Sequence, residues 1–222
     1  MRPDWFVPAL AAHVPPLAGA LGIERTIERR AVALTFDDGP HAEGTPAVLE
    51  ALAAAGATAT FFLVGEQVQA RPSVARTIAD AGHEIALHGY RHTLLLRRRT
   101  SALAADLDRA VGAIQDATGR SPTVYRPPYG VFSSGALALV RERDLRPLLW
   151  SKWGRDWERR ASAASIARRA TRSLAPGDVV LLHDSDAYSS DGSWSRTAAA
   201  LPSVLAAIAA LGVPAEPVTQ ST

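Results

Sequence analysis

A chain of 222 residues that is 47% hydrophobic and 21% charged can bury enough apolar surface to offset the entropy of ordering, which excludes a disordered protein and makes one globular domain the default. The formal net charge of +2 beside a sequence pI near 9.4 reflects a shortage of groups titrating below arginine, and the basic residues form no stripe interleaved with aromatics, so nucleic acid is not the expected partner. The absence of cysteine excludes disulfides, thiolate nucleophiles and thiolate ligands, so any metal must rest on His and carboxylate.

Residues 1–23 are apolar but broken by Asp4, His13 and the prolines Pro3, Pro8, Pro15 and Pro16. They are too interrupted for a membrane span and lack the charged start and continuous apolar run of a cleavable signal. Residues 1–30 are therefore expected to form a packed cap, with an interfacial segment as the alternative. No transmembrane segment and no cleavable signal are legible, which leaves cytoplasmic and envelope-associated locations both open. A monomer is the expectation.

From residue 31 to 218 short apolar runs alternate with alanine-rich amphipathic stretches, the pattern of βα units around a parallel sheet or barrel. Strands are predicted over 31–36, 58–64, 84–87, 123–126, 145–151, 178–183 and 213–218. Helices are predicted over 46–55, 73–81, 101–118, 133–143, 163–174 and 196–211. Gly56, Gly82, Gly119 and Gly212 each fall just past a helical pattern, where a left-handed cap is expected. Residues 184–195, rich in Ser, Asp and Gly, read as a long surface loop. The fold class expected is α/β.

In parallel α/β folds, functional groups gather at the C-terminal ends of the strands. Asp37 and Asp38 follow the first predicted strand, His88 and His92 the third, Arg126 the fourth and Asp156 the fifth, and His183 ends the sixth. Each has a bland reading of its own. Asp-Asp-Gly-Pro is ordinary turn chemistry, yet two adjacent carboxylates raise each other's pKa unless a cation is near. Two histidines four residues apart can reach one ion from a helical turn or a compact loop, and with Asp38 they give two nitrogens and one oxygen, the donor set of a catalytic zinc site with an open position. A histidine ending a buried strand is commonly structural, although Leu181 and His183 share a face as i and i+2. Arg126-Pro-Pro-Tyr129 can be a stiff loop with a solvated arginine, and Trp150, Trp153 and Trp157 can be core aromatics. His13, His41 and His83 read as structural or exposed.

Together these segments resemble the polysaccharide deacetylases that share the NodB-homology domain, also called carbohydrate esterase family four, over about residues 31–215. TFDDGP, HGYRH, RPPYG, Asp156-Trp157 and VLLH match that family's motifs in order. The resemblance implies a distorted (β/α) barrel of about seven strands and removal of N-acetyl groups from an amino-sugar glycan such as chitin oligomers or peptidoglycan. It implies Asp37 as general base, with Asp38, His88 and His92 as ligands of one divalent metal, zinc before cobalt or nickel. Arg126 would pair with the base, Tyr129 would offer a backbone N–H to the oxyanion, and Asp156 would tune His183, the general acid. Trp157 and Leu181 would line the acetyl pocket. Two departures stand out: Gly89 occupies the place of a Ser or Thr whose hydroxyl braces the ligand loop, and Trp153 that of an aspartate. A small acylated amine or cyclic amide is the alternative substrate, and a non-catalytic carbohydrate-binding protein the competing class.

Overall fold

The computed structural model of the protein describes residues 7–219, so the first six residues of the expected N-terminal cap lie outside the described residues. After a 3-10 turn at Val7–Leu10 the order is α1 (Pro15–Ala20), β1 (Val32–Asp37), α2 (Gly44–Ala54), β2 (Thr60–Leu63), α3 (Gly65–Ala70), α4 (Pro72–Asp80), β3 (Glu84–Leu87) and α5 (Thr100–Thr118). It continues with β4 (Val124–Tyr125), α6 (Ser134–Glu142), β5 (Arg146–Pro147), β6 (Lys152–Trp153), α7 (Ala163–Ala170), β7 (Val179–His183), α8 (Ser193–Ala210) and β8 (Ala215–Glu216).

Seven parallel strands run in the order β5-β4-β3-β2-β1-β7-β6, with β8 paired to the start of β1. The sheet curls into a distorted α/β barrel surrounded by helices. The mostly apolar run Val32–Phe36 is what a central parallel strand needs, since both its faces are covered; all six residues of β1 are buried, and its one polar member before Asp37, Thr35, donates its hydroxyl to Val180 O at 2.8 Å. Phe36 and Phe61 stack inside at 5.1 Å between ring centroids, and each fully buried Phe contributes about 1.5–3 kcal/mol. The four glycines expected to cap helices all have positive φ. No helix among the described residues is long and apolar enough to cross a membrane.

The predicted strand over 145–151 is corrected: it is two short strands on opposite edges of the sheet, β5 against β4 and β6 against β7. Residues 148–151 cross the open side of the barrel between them, so one apolar run serves two edges. Pro147 tolerates this position because its nitrogen, which cannot donate, faces away from β4. Glu24 fills the seam, its N–H donating to Pro147 O at 2.9 Å and its carbonyl accepting from Leu149 N–H at 2.8 Å. Ile27 N–H donates to Gly177 O at 2.9 Å, which ties the end of the N-terminal segment to the entry of β7.

The loop predicted over 184–195 is also corrected. Helix α8 begins at Ser193, and Asp184, Ser185 and Ser193 are buried because their polar groups are bonded inside: Asp184 accepts from the Thr45 hydroxyl, Ser185 Oγ accepts the Ala187 N–H at 3.1 Å, and Ser193 Oγ lies 2.8 Å from Ser189 Oγ. Helix α3 was invisible to periodicity, being too short to show a face.

Candidate metal centre and active site

Five strands deliver ionisable side chains to one end of the barrel. Asp37 closes β1 and Asp38 follows it, His88 follows β3, Arg126 follows β4, Asp156 lies beyond β6, and His183 ends β7. Asp37 and His183 are register partners on neighbouring strands, as are Thr35 and Leu181. The period of two along a strand therefore turns Thr35, Asp37, Leu181 and His183 to the same face.

Asp38, His88 and His92 converge, with one potential donor atom from each lying within 4.8 Å of the others. Asp38 Oδ1 is 3.5 Å from His88 Nε2 and 3.3 Å from His92 Nε2. Asp38 holds a positive φ of 77°, a conformation that non-glycine residues rarely adopt and that marks a site held in place by its surroundings. His88 Nδ1 is 2.8 Å from the carbonyl of Arg126. A carbonyl can only accept, so Nδ1 is the donor and Nε2 is the nitrogen that faces the cluster.

These residues fit a divalent cation. Asp38 Oδ1 is buried and has no hydrogen-bond partner among the described residues, so a carboxylate oxygen is kept where only a cation would satisfy it. Burial pushes the Asp38 carboxyl up, but the surrounding imidazoles of His88, His183 and His92 outweigh it and hold it at about 2. Burial likewise holds His92 down at about 4, leaving a neutral ring whose lone pair is free. Two imidazole nitrogens and one carboxylate oxygen make a set suited to zinc with an open position.

The two flanking residues each have a buried counter-charge. Arg126, completely buried, donates through Nη1 to Asp37 Oδ1 at 2.7 Å and to Thr35 Oγ1 at 2.9 Å, and through Nη2 to Leu149 O at 2.9 Å. Its guanidinium lies over the Phe62 ring, 4.0 Å from the centroid. On the other side, His183 Nδ1 is 2.9 Å from Asp156 Oδ1, and Asp156 Oδ2 accepts from His183 N–H at 2.7 Å and from Thr197 Oγ1 at 2.8 Å. Burial pulls His183 down, but Asp156, helped by the nearby Asp38 and Asp37, outweighs it and raises the imidazole to about 10. His183 is therefore cationic at neutral pH, and its Nε2 lies 3.9 Å from Asp38 Oδ2.

A cavity of about 320 Å³ opens over these groups. Leu181 and Trp157 line it, Trp157 meeting His183 edge-on with centroids 5.4 Å apart. Trp153 is the register partner of Leu181 and packs between Trp150 and Trp157, which makes this wall aromatic. Tyr129, exposed and at a positive φ of 61°, forms the opposite rim. A larger groove of about 1000 Å³ elsewhere contains none of these residues and includes ion-paired side chains such as Arg29 and Arg146.

Sequence reasoning missed several supports. Thr35 had a usable signal, standing two residues before Asp37 on the same strand face. Asp106 had none, yet its Oδ2 accepts the Tyr90 N–H at 2.8 Å and braces the loop between His88 and His92. Tyr188, a lone aromatic in a Ser/Asp/Gly loop, reaches the cavity and stacks on His92. His41 and His83 are structural: His41 Nδ1 accepts from Gly44 N–H at 2.9 Å and buried His83 Nδ1 from Ala59 N–H at 3.2 Å. Exposed His13 stands at the cavity rim.

Residues 24–148 match the family described as polysaccharide deacetylase. The chain is 33% identical over 199 residues to a chitooligosaccharide deacetylase of Azorhizobium caulinodans, covering 86% of this chain and 94% of that one. It is 31% identical to a peptidoglycan-N-acetylglucosamine deacetylase of Listeria monocytogenes, over 78% of this chain but only 36% of the longer relative. The crystal structure of another peptidoglycan N-acetylglucosamine deacetylase superposes with a TM-score of 0.83 at 27% identity, covering 90% of this chain and 92% of the other.

Proposed function

The chain belongs to the polysaccharide deacetylase family and is a hydrolase of non-peptide C–N bonds, and from that premise we propose that it removes N-acetyl groups from an amino-sugar glycan with the aid of one divalent metal. The observation that carries this reading is the pair Asp37 and His183, each with a buried counter-charge, flanking the orphaned carboxylate of Asp38. Relatives named for chitooligosaccharide and peptidoglycan deacetylation support a glycan acetamide as the substrate class.

Asp38, His88 and His92 would hold the metal, with zinc the first choice for this donor set and cobalt or nickel suited to the same atoms. When bound, such a cation would supply Lewis acidity and lower the pKa of water at the site. Asp37, steadied by Arg126, accepts the proton of the attacking water. The Tyr129 N–H stabilises the developing oxyanion, a contribution of about 3 kcal/mol for one such donor. His183, kept cationic by Asp156, protonates the leaving amine, while Trp157 and Leu181 enclose the acetyl methyl. Arg126 and Asp156 thus set an anion and a cation side by side in the order that the reaction needs.

A second reading, hydrolysis of a small acylated amine, is favoured by the size of the cavity, about 320 Å³, at the lower end for ligand pockets. Acetate release measured across acetylated glycans and small amides, with and without chelator, separates the two. Release from chitin or peptidoglycan fragments that stops with chelator is the expected result. No acetate from any of them in the presence of metal would overturn the enzymatic reading and leave a carbohydrate-binding protein.

A further inference from the structure

The two histidines of the triad are held in different ways. His88 has its outward nitrogen fixed by the Arg126 carbonyl, the arrangement usual for a metal-binding imidazole. His92 Nδ1 is buried and has no hydrogen-bond partner among the described residues. Its ring is instead clamped between aromatics. Tyr188 lies flat on it, with centroids 4.3 Å apart and planes 13° from parallel, and Tyr129 meets it edge-on at 4.5 Å and 64°.

Tyr188 is itself anchored. Its hydroxyl donates to Glu66 Oε1 at 2.7 Å and accepts from Gln67 Nε2 at 3.0 Å, both on the first turn of α3. The same turn grips the loop that carries His92, because the Gly65 and Glu66 N–H groups donate to the Gly89 and Tyr90 carbonyls, each at 2.9 Å. One short helix therefore fixes both the loop of the ligand and the ring stacked against it.

We propose that Tyr188 is a positioning residue for the metal centre: its ring holds the imidazole plane of His92, replacing the hydrogen bond that His92 lacks. The inference rests on the reading of Asp38, His88 and His92 as ligands. A stack of this closeness contributes on the order of a hydrogen bond, and supports of this kind typically alter metal affinity 10- to 100-fold when removed.

The test is zinc titration of the chelator-stripped full-length protein against a chromophoric competitor, for the unaltered chain, Tyr188→Phe and Tyr188→Ala, with the visible spectrum of the cobalt-loaded forms as a second readout. Tyr188→Phe keeps the ring and loses both anchors, so it should bind zinc within about threefold of the unaltered chain. Tyr188→Ala should bind about tenfold more weakly and shift the cobalt bands. Tyr188→Leu, which fills the space without a ring, should match Tyr188→Ala and stands in for it if that variant does not fold. Full affinity with an unchanged cobalt spectrum in the ring-less variants overturns the proposal. Equal weakening in Tyr188→Phe and Tyr188→Ala overturns it too, since the effect would then belong to the loop's hydrogen bonds. An unaltered chain that binds no zinc overturns the ligand reading as well.

Discussion

Asp37 and His183 are register partners on the adjacent parallel strands β1 and β7, so a carboxylate and an imidazole of opposite charge stand side by side at the end of the barrel. If they divide the proton work as proposed, Asp37→Asn should lower turnover about 10²- to 10⁴-fold with metal content unchanged by elemental analysis. Asp38→Asn and His92→Ala should instead lose metal and activity together. An Asp37→Asn variant with full activity would remove Asp37 from the mechanism.

The pH profile follows from Asp156. His183 serves as an acid only while protonated, and Asp156 raises it to about 10 against the opposing effect of burial. Asp156→Asn removes that charge and leaves burial to lower the imidazole, so the basic limb of the kcat/KM profile should move to lower pH by more than about one unit. An unmoved basic limb in this variant would assign it to another group.

Arg126 should matter for folding as well as chemistry. Arg126→Gln leaves the Asp37 carboxylate buried without its cation and strips a donor from Leu149 O. Urea denaturation should show a loss of about 3–5 kcal/mol, part of which returns in the double variant Arg126→Gln/Asp37→Asn, where no buried charge is stranded.

His83, away from the cavity, gives the fold its own pH dependence. Burial lowers it from 6.5 to about 4, and its Nδ1 must stay unprotonated to accept the Ala59 N–H. As the pH falls below 6.5 the unfolded chain takes up a proton that the folded chain refuses, so stability is full above 6.5 and declines towards pH 4. The decline amounts to about 3 kcal/mol. His83→Asn, which keeps an acceptor and does not titrate, should flatten the unfolding free energy measured across that window.

Thr45 joins the turn after Asp38 to β7. Its hydroxyl donates to buried Asp184 and accepts the His41 N–H at 2.7 Å, while Asp184 is pushed up to about 7, chiefly by burial. Thr45→Val should cost about 2 kcal/mol in thermal unfolding, with Thr45→Ser close to the unaltered chain. Equal stability in the valine variant would mean that water replaces the hydroxyl there.

The barrel was legible because periodicity reports burial on its own. Strand β1 reads as apolar up to its end apart from Thr35 because both its faces are covered, and Gly119 follows α5 because the chain must turn through a left-handed residue there. The stretch 145–151 departs from its predicted single strand for the same reason. Leu148, Leu149 and Trp150 are buried whether they continue one strand or cross between two edges, and periodicity has no term for which neighbour supplies the hydrogen bonds. The loop over 184–195 was read as exposed from its polar composition, although Asp184 is buried against Thr45 and Ser193 opens α8.

The same division runs through the site. The residue types that carry chemistry and the strand ends that hold them are read from the chain alone, because a parallel sheet must send the residues after its strands to one end. Sequence alone could not determine that His88 is fixed by a carbonyl of β4's loop while His92 is clamped by Tyr188, nor that Asp106 braces the loop between the two histidines. Those contacts join residues 16 to 96 positions apart, and they depend on side-chain directions and distances that exist only once the barrel has closed.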